Sequence, residues 1–364
     1  MPGAEPSLQE LIGAAREAAK RGVANLSEVE GIYEEAAHRF PHSGEAFHWL
    51  GVVKRQLGKP ADAEAAFRRA LALDASLPAT RRLLSMAVLA QGRYPEGFEL
   101  YEARHELPAM AKPALPQPEW RGEDVKGKRV LIWPEQGFGD QIMFARFAVL
   151  LKTRGADVTL LCRPGLVRLL QGSLGVRTLG AEGAVDFPDP DYWVMTCSLA
   201  WRCGATVETV PNAPYLRPVS AWPSLGEGFK VGLVTRGNPG HMNDPNRSLP
   251  PEWAERLRAL PAQIIELDPA QTGAKDFADT AAIIDQLDLV ISVDTAMAHL
   301  AGAMGKPCWV MLSGVETDWR WMTDRADSPW YPSMRLYRQT RLAEWSDVIQ
   351  RIETDFKALL SDEK

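Results

Sequence analysis

Between Arg129 and Gly314, seven short apolar runs alternate with amphipathic stretches, and this alternation limits the fold more than any other feature. The runs are RVLIW, DVTLLC, YWVMTCS, KVGLVTRG, AQIIELD, LDLVISV and PCWVMLSG. The helical patterns between them include DQIMFARFAVLLKTRG, LVRLLQGSL, PEWAERLRAL, DTAAIIDQL and DTAMAHLAGAMG. Strands separated by helix-length segments pair in parallel, with the helices crossing over the sheet faces. The Pro- and Gly-rich segment VPNAPYLRPVSAWPSLGEGF interrupts the series near residue 222. Two Rossmann-like parallel-sheet lobes are therefore expected, 127–222 and 223–364.

Upstream the period changes. The stretch EAFHWLGVVKRQLGKPADAEAAFRRALALDASLP fits the 34-residue tetratricopeptide (TPR) pattern of two antiparallel helices, with Phe47, Leu50, Gly51, Ala63, Phe67 and Ala70 at its aromatic, Leu-Gly and small positions. A shift of 34 lands on Leu84, Ser85, Gly97 and Tyr101, and in the other direction on Tyr33, Ala36 and Pro41. Small residues let paired helices approach and aromatics fill the gaps between repeats. TPR-like helical repeats are expected over 8–106, either as a peptide-binding surface or as a short cap. Four prolines between Leu107 and Glu119 forbid continuous helix, so 107–126 reads as a linker. The chain is thus of α + α/β class.

A net charge of −6 gives no overall basic surface, which argues against nucleic acid as a partner. No apolar run approaches the ~20 residues of a membrane span, and the N-terminus lacks the apolar core of a signal peptide. A cytoplasmic protein is expected, with at most peripheral membrane contact. Cys162, Cys197, Cys203 and Cys308 have no CxxC spacing and read as free buried thiols.

Four stretches carry chemistry. In PEQGFGDQIM, a strand runs into Glu135, Gln136, Gly137, Gly139, Asp140 and Gln141. Ile142 stands where a dinucleotide fingerprint needs its third glycine, and no Gly-Lys-Ser/Thr follows. Asp140 at a first helical turn reads either as an N-cap or as a general base at a sheet's C-terminal edge. In VISVDTAMAHLAGAMGKP, Asp294 and Thr295 precede a helix of small residues beginning at Ala296, whose free N–H groups suit a diphosphate, and His299 lies one turn in. The loop GNPGHMNDPNRSLP carries Asn238 and Arg247, the latter suited to bidentate phosphate contact, with Ser248 as a helix cap. Finally, TDWRWMTDRADSPWYPSMRLYRQ holds Trp319, Arg320, Trp330 and Tyr331, which read as a lid over the ligand or as a hydrophobic seam. Asp189 and Asp191 form a DxD in a Pro-rich turn, a poor setting for a metal.

Taken together, EQGFGDQIMFARF, GNPGHMNDPNRSLP, DFADTAAII, ISVDTAMAHLAGAMGKP and DWRWMTDRADSPWYP resemble bacterial TPR-linked glycosyltransferases of the GT-B fold, similar to the ADP-heptose:lipopolysaccharide heptosyltransferases of family 9. The resemblance implies a compact GT-B arrangement, with 127–222 on the acceptor side and 223–364 on the nucleotide-sugar donor side. It implies Asp140 as catalytic base and Arg247 as the cation meeting the donor phosphate. Donor binding would fall to Asn238, Asp294, Thr295, Ala296 and His299, and the acceptor-side loop to Glu135, Gln136, Gly137, Gly139 and Gln141. The expected activity is metal-independent, inverting transfer from a nucleotide-sugar to a protein or glycan acceptor recruited by the TPR helices, with no cofactor. Relatives carry a longer segment between IIELD and DFADTA, which motivates one alternative, a catalytically decayed nucleotide-binding TPR scaffold. A distant alternative, an NADP-dependent oxidoreductase, rests on Gly137, Gly139 and Arg163.

Overall fold

The computed structural model describes residues 5–362. The chain divides into two compact units: one of 1–111, 313–325 and 339–344, the other of 112–312, 326–338 and 345–364.

The first unit holds six helices in chain order, each packed on the next: α1 Leu8–Lys20, α2 Leu26–Arg39, α3 Gly44–Gln56, α4 Pro60–Leu73, α5 Pro78–Ala90 and α6 Tyr94–Tyr101. Local chemistry sets their ends. Ser7 and Glu10 form a reciprocal capping box at α1, Ser43 caps α3 through the Ala46 N–H, and prolines open α4 and α5. A Cβ on Gly51 would lie 2.5 Å from the Phe67 ring, so glycine at this position is what lets α3 and α4 close together. Two later segments complete the unit. Val315 and Leu342 join the core built by Ile12, Val29, Leu50 and Val53, and the Glu316 N–H donates to the Gln56 carbonyl at 2.9 Å.

The second unit contains two wholly parallel sheets. The first has order β3-β2-β1-β4, from β1 Arg129–Trp133, β2 Asp157–Cys162, β3 Arg177–Gly180 and β4 Tyr192–Met195. The second has order β6-β5-β7-β8-β9, from β5 Lys230–Val234, β6 Gln263–Glu266, β7 Leu289–Val293, β8 Cys308–Leu312 and β9 Met334–Arg338. Every residue of β7 and β8 is buried, as strands covered on both faces require. The helices are α7 Phe138–Phe144, α8 Arg146–Thr153, α9 Val167–Leu174, α10 Leu199–Arg202, α11 Asp244–Arg247, α12 Pro251–Arg258, α13 Pro269–Thr272, α14 Phe277–Ile284, α15 Ala296–Ala303 and α16 Ser346–Asp362.

Several local expectations are corrected. The stretch DQIMFARFAVLLKTRG is two helices, because Arg146 Nε takes the Met143 carbonyl at 2.8 Å that an unbroken helix would offer to the Phe147 N–H. Ser248 does not cap the helix after it; its hydroxyl accepts the Gly237 N–H at 2.9 Å, and Pro250 precedes α12. The aromatic stretch 317–339 contains the edge strand β9, whose alternation is partly masked by Arg335 and Arg338. Asp191 of the DxD is tied to Arg129, accepting its backbone N–H at 2.8 Å and pairing with its guanidinium at 3.1 Å, which holds the carboxyl below its ordinary range.

Among the described residues, no helix is long and apolar enough to cross a membrane.

Candidate functional site

The turn after β1 is held by its own side chains. Gln136 sits at φ +64°, a left-handed conformation that costs a non-glycine residue about 1 kcal/mol or more. Its carbonyl accepts from both Nε and Nη2 of Arg163 at 3.3 Å. Gln141, 5% exposed, completes the brace: Oε1 accepts the Arg163 N–H at 2.8 Å and Nε2 donates to the Glu135 carbonyl at 3.4 Å. The Arg163 guanidinium also lies 5.2 Å from the centre of the Phe138 ring. This frame opens onto a cavity of about 460 Å³ whose lining includes Glu135, Gln136, Phe138, Gln141, Arg163 and Glu182.

Asp140 occupies the third position of α7, and its Oδ2 accepts the Gly137 N–H at 3.0 Å. It is half-buried.

The two sheet halves of this unit meet at Gly139. A Cβ there would lie 2.8 Å from Cδ2 and 3.4 Å from Nε2 of His299, and 3.7 Å from the Ala296 Cα. Only glycine admits that approach, so the residue before Asp140 rests on the first turn of α15. At the same helix start, Arg247 Nη1 donates to the Asp294 carbonyl at 2.9 Å while its Nε donates to Asp244 at 3.1 Å. Thr295 is the N-cap in extended conformation, its hydroxyl 3.2 Å from that of Ser292. The Asp140 turn, the Arg247 loop and the Asp294–His299 stretch thus converge on one short piece of backbone.

Asn238 follows Gly237, which lies against Asp244 and Arg247. Asn238 is exposed, and its Oδ1 accepts the Gly240 N–H at 2.9 Å in a local turn. The four residues read as a lid divide between the two units, and all are buried. In the helical unit, Trp319 packs edge-on against Phe98 at 5.5 Å and Tyr94 at 6.3 Å, with the Arg320 guanidinium, bonded to Asp318, above it at 4.7 Å. In the other unit, Tyr331 bonds Nδ1 of His299 at 3.0 Å, and Trp330 lies edge-on to Phe144 at 5.9 Å.

Sequence reasoning passed over Arg146, 2% exposed. It donates to the carbonyls of Met143, Pro211 and Trp330 and lies under the rings of Tyr215, Trp330 and Tyr331 at 4.8, 5.2 and 4.7 Å. The signal was an arginine inside an apolar helical face, FARFAVLL. Also missed was Arg168 on α9, which pairs with Asp276 and Asp279 at the start of α14. Burial alone would raise the Asp279 carboxyl, but the Lys275 N–H and Arg168 outweigh it and hold it below the ordinary range.

Comparison with known proteins finds one family match and several similar chains. Residues 250–341 match the family model of glycosyltransferase family 9 (heptosyltransferase). A curated relative, Protein FlbA of Caulobacter vibrioides, is 28% identical over 400 aligned residues, covering 92% of this chain; the chain spans 66% of that protein, a little under two thirds. A family 9 glycosyl transferase from Veillonella parvula is similar in structure at TM-score 0.45 and 11% identity, covering 66% of this chain and 99% of that one. The glycosyltransferase TibC from enterotoxigenic E. coli, described as iron-containing and dodecameric, is similar at TM-score 0.41 and 14% identity, covering 62% of this chain and 67% of its own.

Proposed function

From the match of residues 250–341 to the family 9 glycosyltransferase model, we propose that the chain transfers a sugar from a nucleotide-sugar to a protein or glycan acceptor, with inversion and without a metal. The carrying observation is the convergence of the Asp140 turn and Arg247 on the start of α15. The donor diphosphate meets the free N–H groups of α15 and the Arg247 guanidinium, which stabilise the negative charge released on the leaving nucleotide. The acceptor hydroxyl enters from the cavity beside Phe138 and Gln141, the neighbours of Asp140. Asp140 takes its proton as the oxygen attacks the anomeric carbon from the face opposite the leaving diphosphate. Glu135, Gln136 and Gln141 shape the acceptor side, and the brace from Gln141 to Arg163 keeps the turn fixed while the hydroxyl aligns.

The helical unit is read as a TPR-like module that recruits the acceptor in the cytoplasm. The short connection from β6 through α13 to α14 favours a second reading, a nucleotide-binding scaffold that no longer catalyses. Incubation with a panel of nucleotide-sugars, scored for transfer and for hydrolysis, tests the first reading. Nucleotide binding without turnover of any of them selects the second, and no binding at all removes both.

A further inference from the structure

Arg168 on α9, in the first sheet half, reaches two carboxylates at the start of α14, in the second. Its Nε and Nη2 donate to the two carboxylate oxygens of Asp276 at 2.9 and 2.7 Å, and Nη2 also donates to Asp279. An exposed ion pair usually contributes little, but a planar fork closed on one carboxylate fixes distance and angle together. Both carboxylates are themselves fastened to the backbone. Asp276 is the N-cap of α14, where Oδ1 accepts the Ala278 and Asp279 N–H groups at 2.8 and 3.2 Å, and Oδ2 of Asp279 accepts the Lys275 N–H at 3.0 Å. The fork therefore grips the helix start rather than two loose side chains.

Phe277, the first residue of α14, follows Asp276 and packs on Phe138, the ring centres 4.8 Å apart and inclined at 40°. Phe138 opens α7 two residues before Asp140 and lines the cavity of about 460 Å³. The turn that carries Asp140 thus meets the second half twice, through Gly139 on α15 and through Phe138 on α14. One contact alone would let the turn pivot; two fix its orientation. We infer that Arg168 and Asp276 are positioning residues, a tie between the sheet halves that seats Phe277 on Phe138 and so aims the Asp140 carboxylate at the acceptor. The role of that carboxylate rests on the transfer reading above. The tie is made to α14, whereas the diphosphate contacts of that reading are on α15 and Arg247, so releasing it should slow transfer and spare nucleotide affinity.

Three variants of the full-length chain test the tie. Arg168→Ala removes the fork, Arg168→Lys keeps the charge without it, and Asp276→Asn drops the carboxylate charge yet still caps α14, because asparagine caps as well as aspartate. Hydrogen exchange read by mass spectrometry compares peptides covering the Asp140 turn and α7 with peptides covering β2 as the control. Arg168→Ala and Asp276→Asn are expected to speed exchange at the turn and leave β2 unchanged, with Arg168→Lys between them and wild type. Unchanged exchange at the turn, or faster exchange in both places, overturns the inference. On a nucleotide-sugar that the wild type turns over, kcat is expected to fall by roughly 10- to 100-fold in Arg168→Ala, with the Kd for the nucleoside diphosphate unchanged. The double variant Arg168→Ala/Asp276→Asn should lose no more than Arg168→Ala alone, since both substitutions break one tie. Weaker diphosphate binding at unchanged kcat, or single losses that multiply in the double variant, overturns it as well. If the wild type transfers nothing, the transfer reading fails, while hydrogen exchange still decides whether the tie holds the turn.

Discussion

Gly139 and His299 come from opposite sheet halves, and the space between them holds no additional methyl group: a Cβ on the glycine would stand 2.8 Å from the imidazole Cδ2. Gly139→Ala must therefore move the ring or the turn. Overpacking of this kind costs about 1–3 kcal/mol, and here the strain falls between the Asp140 turn and the start of α15. A lowered urea midpoint together with weaker nucleoside diphosphate binding is the expected result. Unchanged values of both would mean that the two elements do not meet as described.

Arg247 joins its loop to α15 through the Asp294 carbonyl and is itself steadied by Asp244. Arg247→Lys keeps the charge but loses the planar fork that serves both partners. If the guanidinium meets a leaving diphosphate, turnover should fall by roughly 10²-fold or more in Arg247→Ala, the scale of a lost electrostatic donor, and by less in the lysine variant. Steady-state kinetics on the nucleotide-sugar found by panel screening provide the check.

Trp319 distinguishes a lid from a core residue. Its ring is 4% exposed and meets Tyr94 and Phe98 edge-on inside the helical unit. Trp319→Ala should cost about 3–5 kcal/mol, as large buried aromatics do, and lower the melting temperature. A lid residue would instead change turnover with little effect on melting.

The helical unit should carry an acid-sensitive contact. Burial works to raise the Glu64 carboxyl, but hydrogen bonds from Arg93, Gln91 and Arg68 prevail and hold it at about 2. An acid whose folded value lies below its unfolded one, about 4.3, stabilises the fold above that unfolded value. The contribution disappears as pH falls toward 2. Glu64→Gln should destabilise by about 1–2 kcal/mol at pH 7, and the gap from wild type should narrow steadily between pH 5 and pH 2.5. A gap that is constant with pH would separate Glu64 from this linkage.

Much of this was legible in the sequence because period and punctuation are local properties. Seven of the nine strands among the described residues announced themselves as apolar runs. The two that did not are β3, four residues long with one buried, and β9, whose arginines break its alternation inside an aromatic-rich stretch. The Asp140 turn, the Arg247 loop and the start of α15 were each visible as motifs, but their meeting was not, since it depends on Gly139 lying against His299 from 160 positions away. Arg146 was hidden for the same reason: its partners Pro211, Tyr215 and Trp330 are distant in sequence, and a lone arginine in an apolar helix gives no sign of which carbonyls it will find. The aromatic stretch left a lid and a seam equally open, because composition does not reveal that Trp319 belongs to one unit and Trp330 to the other.

Asp140→Asn separates the two roles open to this residue. As a cap, the side chain needs only an oxygen to accept the Gly137 N–H, now 3.0 Å from Oδ2, and asparagine supplies one in the same place. As a base it needs a carboxylate, which asparagine lacks. The variant should therefore melt within a degree or two of wild type and bind nucleoside diphosphate normally. Transfer should drop by about 10²- to 10⁴-fold, the range of general-base contributions. Asp140→Ala removes both functions and should show the same kinetic loss with about 1 kcal/mol of destabilisation added. If Asn transfers sugar as fast as Asp while Ala is merely less stable, Asp140 is a cap alone and another residue must serve as the base. If wild type and both variants bind nucleotide equally and none transfers, the chain is a scaffold, and the carboxylate serves only to hold the turn.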